Sequence, residues 1–228
     1  MKLRLWTGVR YIRRAPTKSG DEARIRVALL TLQHVLWWHG NVQPIIDEDP
    51  DRVDQGWNWL LYAPFSTLTG TVLGRNPVGY CVGLVRGDRF VPCALAQLLG
   101  DYPALDDNDR RSTFTWFLTT APKSAMLSNE EYGLDQDRVP KRLGTITLDV
   151  AVTHSINHGG GGRMSLHADP KGGERLLQWY RDRGMLVLAK DGRLPAGPRR
   201  LIRPSDGRYC YFTVEGALQL SRGLDHLR

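Results

Sequence analysis

His154 and His158 stand four residues apart, a spacing that puts two imidazoles on one helical face. His167 follows on the next expected strand, so a three-histidine zinc site can be drawn. No HExxH accompanies them and no carboxylate is placed as a base, so capping or solvated histidines are the preferred reading and no metal is expected. Cys81, Cys93 and Cys210 form no CxxC pair, which encodes neither a thiolate zinc site nor a disulfide framework and fits a reducing compartment. A GxSxG elbow is absent. The glycines from Gly159 to Gly162 lack the GK[ST] ending of a phosphate loop and precede a strand, so they read as a turn. Tyr180 shares one helical face with Leu176 and Leu177, which on pattern alone makes it a core aromatic with a bonded hydroxyl. Its phenol, with an ordinary pKa of about 10, stays protonated at neutral pH and can give a proton to a leaving group.

Positioning such groups needs a core, and 228 residues with 41% apolar and 24% charged content supply one. The formal charge of +7 comes largely from arginine, with local pairs at Arg13 and Arg14, Arg110 and Arg111, and Arg199 and Arg200. Such a surface favours acidic partners (nucleic acid, tRNA or a phosphate-bearing cofactor), although scattered arginines are usually solvated surface. The segment MKLRLWTGVRYIRR lacks the apolar stretch of a signal peptide, and no apolar run approaches the roughly eighteen residues of a membrane span. A cytoplasmic protein without a membrane partner is expected, as a monomer or homodimer.

The spacing predicts a strand from Leu3 to Ile12 and, after the turn Lys18-Ser19-Gly20, a helix from Glu22 to Trp38 with Asp21 as its cap and Gly40 as its stop. A second helix is expected around Val53 to Tyr62, closed by Pro64. Val78 to Val85 and Arg89 to Ala96, joined by Arg86-Gly87-Asp88, read as a β-hairpin, and Thr113 to Thr120 as the next strand. Ser128 to Arg138 is a loop. Beyond it come a strand from Arg163 to His167, a helix from Gly173 to Arg183 with Gly184 at its C-terminal end, and a strand from Met185 to Ala189. A proline-rich linker from Leu194 to Pro204 leads to a strand, Arg208 to Thr213, and a short helix. The order β-α-α-β-β-β-α-β-α-β-β makes a mixed α/β (α+β) sheet with helices on its faces.

That order, and the segment GGRMSLHADPKGGERLLQWYRDRGM from Gly161 to Met185, resemble the GCN5-related N-acetyltransferases (GNAT). Many members of that superfamily carry an aromatic-tyrosine pair, three residues, and then Gly-Phe. Here Trp179-Tyr180 precede Gly184-Met185 by the same interval. The resemblance implies a mixed, mostly antiparallel sheet with helices on both faces. It divides the chain into an acceptor-side half over residues 1–112, a cofactor-side core over 113–213 and a C-terminal helix over 214–228. It also implies that Tyr180 is the general acid that protonates the departing thiolate of acetyl-CoA.

The superfamily's pyrophosphate loop is similar to Lys141-Arg142-Leu143-Gly144-Thr145-Ile146, which keeps a basic residue and the central glycine but ends in Ile146 rather than a small residue. Backbone N–H groups at a helix start would hold the phosphates there. Pattern and resemblance disagree over the residues beyond Thr145. Ile146, Leu148, Val150 and Val152 alternate with Thr147, Asp149, Ala151 and Thr153 as in a strand. The resemblance requires a helix from Gly144 to Asn157, and helix is adopted because a strand would leave no room for one before Arg163.

Acetyl transfer also needs a base, often a glutamate near the fourth strand in similar proteins. Thr113 to Thr120 carries no carboxylate, and Asp101, Glu130 and Glu131 are the nearest candidates, each better explained by surface solvation. Trp37, Trp38, Trp57, Trp59 and Tyr62 could line an acceptor pocket, with core the commoner role. The leading expectation is an acyl-CoA-dependent N-acyltransferase moving acetyl from acetyl-CoA to an amine. Two alternatives stand beside it: a non-catalytic module with a degenerate cofactor loop that binds protein or nucleic acid, and a basic nucleic-acid-binding domain with a winged-helix-like segment at Tyr211 to Leu224.

Overall fold

The computed structural model describes residues 10–195 and 204–228. Within them β1 (Arg14–Pro16), β2 (Glu22–Leu29), β3 (Asn76–Arg86), β4 (Arg89–Pro103), β5 (Arg111–Thr120), β6 (Met164–His167), β7 (Leu186–Val187) and β8 (Tyr209–Phe212) form one sheet in the order β1-β2-β3-β4-β5-β6-β8-β7. Neighbours are antiparallel except β5 and β6, which run parallel. The helices are α1 (Leu32–Asn41), α2 (Gln43–Asp47), α3 (Trp59–Val72), α4 (Lys123–Ser128), α5 (Leu143–Asn157), α6 (Gly173–Arg181) and α7 (Val214–Gly223). They cover both faces, which is why β4 is buried at every residue from Val91 to Gly100. None is long and apolar enough to cross a membrane, among the described residues.

The first helix expected from the sequence is mostly strand. Glu22, Arg24 and Arg26 point to water while Ile25 between them is buried, a period of two, and β2 pairs with β3 through Ile25 and Leu84. The helix starts at Leu32, because Thr31 accepts a hydrogen bond from the His34 N–H and His34 Nδ1 accepts one from the Thr31 N–H, a reciprocal cap. Asp21 caps nothing, and α1 runs past Gly40.

The second expected helix is displaced as well. Asn58 caps α3 by accepting from the Leu61 N–H, and Pro64 lies inside the helix rather than closing it. A proline soon after the first turn forfeits one helical bond and crowds the carbonyl of the preceding turn, a cost that packing on the sheet offsets. Gly70 permits that packing, since a Cβ there would come within 2.7 Å of Leu99.

The expected hairpin forms, with Arg86 opposite Arg89. The strand expected from Thr113 to Thr120 is β5, and β6, α6, β8 and α7 fall where the sequence places them. Gly184 lies just beyond α6 with φ 84°, a left-handed turn that favours glycine. α4, ahead of the polar loop, is an addition to the expected elements. Of the strand expected from Leu3 to Ile12, residues 3–9 lie outside the described residues, and Arg10 to Ile12 are not strand. Most of the linker expected from Leu194 to Pro204 lies outside them too. Tyr211 and Phe212 belong to β8, inside the main sheet, so the segment to Leu224 is no separate winged-helix unit.

α5 settles the conflict between pattern and resemblance as a helix. Every residue from Ile146 to Ile156 is buried, so the apolar positions carry no 3.6 period that could have shown it. Its buried polar groups are served locally: Thr147 Oγ1 donates to the Leu143 carbonyl at 2.7 Å and Ser155 Oγ to the Arg163 carbonyl at 2.7 Å. His154 reaches further, to the Tyr80 hydroxyl at 3.0 Å, and Asp149 also reaches beyond its helix. Its carboxylate reaches Arg228 Nη2 at 2.9 and 3.0 Å, and the same nitrogen donates to Ser221 Oγ at 2.6 Å, tying α5 to α7. Burial pushes the Asp149 carboxyl above its ordinary value although Arg228, Ser221 and Thr153 all pull it down. Desolvation therefore outweighs pairing, and the pair is costly to break rather than a net source of stability. Arg228→Met is expected to lower unfolding free energy by about 3 kcal/mol in urea titration. Asp149→Leu combined with Arg228→Met should recover much of that loss.

Candidate functional site

β5 and β6 lie side by side only from Thr113 to Thr115 against Met164 to Leu166. Immediately beyond, β5 carries an extra residue: Gln97 faces Phe117 and Leu98 faces Thr115, so Trp116 has no partner in β4. A bulge of this kind bends the strand that bears it. From Trp116 onward β5 therefore diverges from β6, and the edge facing β6 has no strand partner. Thr115 Oγ1 and Ser165 Oγ, where the two strands part, are buried without a hydrogen-bond partner among the described residues.

The opening continues to the start of α5 as a cleft of about 560 Å³. Arg142 sits at the cap of α5 with φ 60° and offers no side-chain acceptor to the helix. The first N–H groups of a helix have no acceptor inside it, so this end presents free donors and the positive end of the dipole. Gly144, Thr145, Arg142, Arg175 and Arg183 line the cleft. Gly144 lets Trp179 pack closely, since a Cβ at that position would lie 3.0 Å from its ring. Arg183 stacks on that ring, 3.5 Å from its centroid, and Nε donates to Thr145 Oγ1 at 3.0 Å. Burial lowers the Arg183 pKa, Asp182 opposes it, and a guanidinium remains charged.

One wall of the cleft is the segment after α2. Arg52 Nη2 meets Asp54 Oδ2 at 2.6 Å and the Thr120 carbonyl at 2.8 Å, and the Thr119 hydroxyl donates to the buried Asp54. The end of β5 is thus pinned to this wall, which also brings Asp49 and Asp51 to the cleft.

Tyr180 lies at the junction. With Val53, Leu118 and Leu176 it borders both the first cleft and a second cavity of about 500 Å³. Burial pushes its phenol well above the ordinary tyrosine value, so it holds its proton. The second cavity is aromatic. Trp57, Tyr62, Trp116 and Phe117 border it, with Tyr62 stacked on Phe117 at 4.7 Å between centroids. Its polar groups include His167 and Asp169, and His167 Nε2 lies 2.8 Å from Asp206 Oδ2. Burial raises the Asp206 carboxyl, but the His167 hydrogen bond and the Arg208 N–H outweigh it and leave the carboxyl below its ordinary value.

Of the residues singled out in the sequence, Tyr180, Arg142, Gly144 and Thr145 come together in the cleft. Leu143 and Ile146 are core. Lys141 is exposed, is not among the residues of the cleft wall, and its N–H bonds the Pro16 carbonyl at 2.7 Å. Asp101 bonds Arg111 at 2.9 Å beside a separate cavity of about 350 Å³. Glu131 accepts from Trp37 Nε1 at 3.0 Å, and Glu130 is exposed in the loop before it. None of these carboxylates borders the cleft. The histidines do not converge: His154, lowered to about 4 by burial and by His158, meets the Tyr80 hydroxyl at 3.0 Å in that separate cavity, whereas His167 meets Asp206. Trp57 and Tyr62 reach the aromatic cavity, while Trp38 and Trp59 are core. Sequence reading missed the pairing of His167 with Asp206 because it depends on β6 lying against β8, with His167 opposite Tyr209.

No protein-family model matches the chain, and no curated protein matches it. Solved structures do align. A GNAT-family acetyltransferase from Staphylococcus aureus Mu50 aligns at TM-score 0.48 with 11% identity, over 83% of this chain and 99% of that one. A mutant spermidine N-acetyltransferase from Vibrio cholerae gives 0.44 and 12%, over 86% and 98%. A mutant AtaT toxin bound to the C-terminus of the antitoxin AtaR and to acetyl-CoA gives 0.43 and 13%, over 86% and 97%. Similarity at this level leaves the chemistry to be argued from the chain's own residues.

The wall of the cleft supplies a first check on the site itself. Asp54→Ala removes the buried acceptor of Arg52 and Thr119 and is expected to cost about 3 kcal/mol. Faster amide exchange confined to residues 48–58 and 118–121 would accompany the loss. Unchanged exchange there would show that the clamp does not hold the wall.

Proposed function

We propose that this chain is an acyl-CoA-dependent N-acyltransferase that moves acetyl from acetyl-CoA to an amine. One observation carries the reading. Two cavities, one at the uncapped start of α5 and one aromatic and bordered by His167, share Val53, Leu118, Leu176 and the protonated Tyr180 as a common wall. The two cavities together have the size of a nucleotide thioester and a small acceptor. Free N–H groups with the Arg142, Arg175 and Arg183 guanidiniums suit its phosphates. The unpaired edge of β5 suits the amides of its pantetheine arm.

In this reading the amine enters from the aromatic cavity as an ammonium and gives one proton to His167, which Asp206 holds in place. Its nitrogen then attacks the thioester carbonyl, the carbon–sulfur bond breaks, the thiolate takes the proton of Tyr180, and the second proton of the attacking nitrogen leaves to solvent to give the neutral amide. The solvent restores both groups. Asp206 acts on His167 alone and is a positioning residue.

Calorimetric titration with acetyl-CoA tests the cofactor side: saturable binding is expected, weakened at least about tenfold by Arg142→Glu with Arg183→Glu. No binding at millimolar ligand would favour the non-catalytic module, to which Ile146 and the nearby Asp49 and Asp51 already point. Steep salt dependence of RNA binding in its place would favour the nucleic-acid reading. Once an acceptor is found, Tyr180→Phe should lower kcat by about 100-fold with acetyl-CoA affinity unchanged. His167→Gln should likewise lower kcat by about 100-fold with acetyl-CoA affinity unchanged, and an unchanged kcat would take the base role away from His167.

A further inference from the structure

The sequence from Trp57 to Gly74 contains no charged residue, yet it includes a surface helix. On α3, Leu61, Phe65, Leu68 and Val72 recur at intervals of four, three and four and all face water, with Leu68 66% and Val72 77% exposed. α1 alongside leaves Leu32 and Leu36 exposed. Between the two helices runs a largely apolar groove of about 540 Å³. On its wall, Trp59 Nε1 and Gln97 Nε2 are buried donors with no acceptor among the described residues.

We propose that this face joins two copies of the chain into a homodimer, α3 against α3 about a two-fold axis. Three features select a second copy as the occupant. First, Leu32, Leu36, Leu61, Phe65, Leu68 and Val72 are all more than half exposed on the two adjoining helices, a concentration of large apolar side chains that marks an interaction surface on a soluble chain. Second, the face carries no charge to complement, although the chain as a whole is +7, so an acidic or basic partner gains nothing by docking there. Depletion of charge is the compositional mark of homodimer cores. Third, the face is self-complementary: it presents a ridge, Leu61 to Val72, beside a groove, and a two-fold axis seats the ridge of each copy against the groove of the other. Thr67 and Thr71 on the same helix donate to the Ala63 and Thr67 carbonyls, so their oxygens keep lone pairs that can accept from a facing donor.

The face also reaches the aromatic cavity. Phe65 lies 6.3 Å from Trp116, the bulged residue that borders it. A partner packed over Phe65 would support Trp116 from outside. The dimer itself does not rest on the acyl-transfer reading.

Sedimentation velocity of the whole chain at micromolar concentration tests the assignment, with Leu68→Glu and Val72→Glu combined as the variant. Both positions are mostly exposed, so the monomer is expected to keep its fold, checked by circular dichroism and melting temperature. The native chain should sediment as a dimer and the variant should dissociate with a Kd raised at least about 100-fold. A native monomer would overturn the proposal, and flotation of that monomer with neutral phosphatidylcholine vesicles would reassign the face to lipid. A variant that stays dimeric would place the interface elsewhere and overturn it equally.

Discussion

One unpaired residue on β5 governs the architecture of the site. Trp116 has no partner on β4, and the bend it introduces is what parts β5 from β6 after only three residue pairs. Without that divergence the two strands would close on each other and Tyr180 would face a continuous sheet. With it, the cleft at the start of α5 and the aromatic cavity share Tyr180 as a common wall. The same bulge turns Trp116 toward the outer helices, where Phe65 meets it.

Other features hold that opening in place. Arg52 and Asp54 fasten the loop after α2 to Thr119 and Thr120, so the free end of β5 has a fixed position. On the opposite side, α6 docks through Trp179 onto Gly144, and Arg183 lies over the ring while bonding Thr145. This end of the cleft is held by packing, since Trp179 lies against Gly144 and Arg183 is fixed over its ring. Preorganisation of this kind reduces the entropy lost on binding.

Electrostatics divide the site in two. The start of α5 is rich in guanidiniums, tempered by Asp49 and Asp51 on the facing wall. The far cavity has His167 and Asp169 among aromatic rings, and His167 bonds Asp206 outside it. Between them Tyr180 is held protonated by burial.

The sequence by itself determined the elements whose signals are local. The β3–β4 hairpin was legible from its turn, α6 from its amphipathic spacing, and β5, β6 and β8 from short β-rich runs. Tyr180 and Gly144 were legible only through the resemblance, since an aromatic and a glycine have many uses. Two N-terminal elements were misread, the first because Ile25, Val27, Ala28 and Leu29 fit a helical spacing as well as a strand. Only pairing with β3 decides between them. In the second, Pro64 misled because a proline is a stop signal in sequence and a tolerated cost in a packed helix. α5 hid its helical nature because burial on every side erases periodicity. Beyond these, the tertiary structure alone decided what depends on distant partners: the bulge at Trp116, the joining of Asp149 to Arg228, and the pairing of His167 with Asp206. Each depends on residues far apart in the chain. Local spacing records a residue's neighbours along the backbone, whereas these arrangements exist only once the sheet has fixed which strands lie side by side.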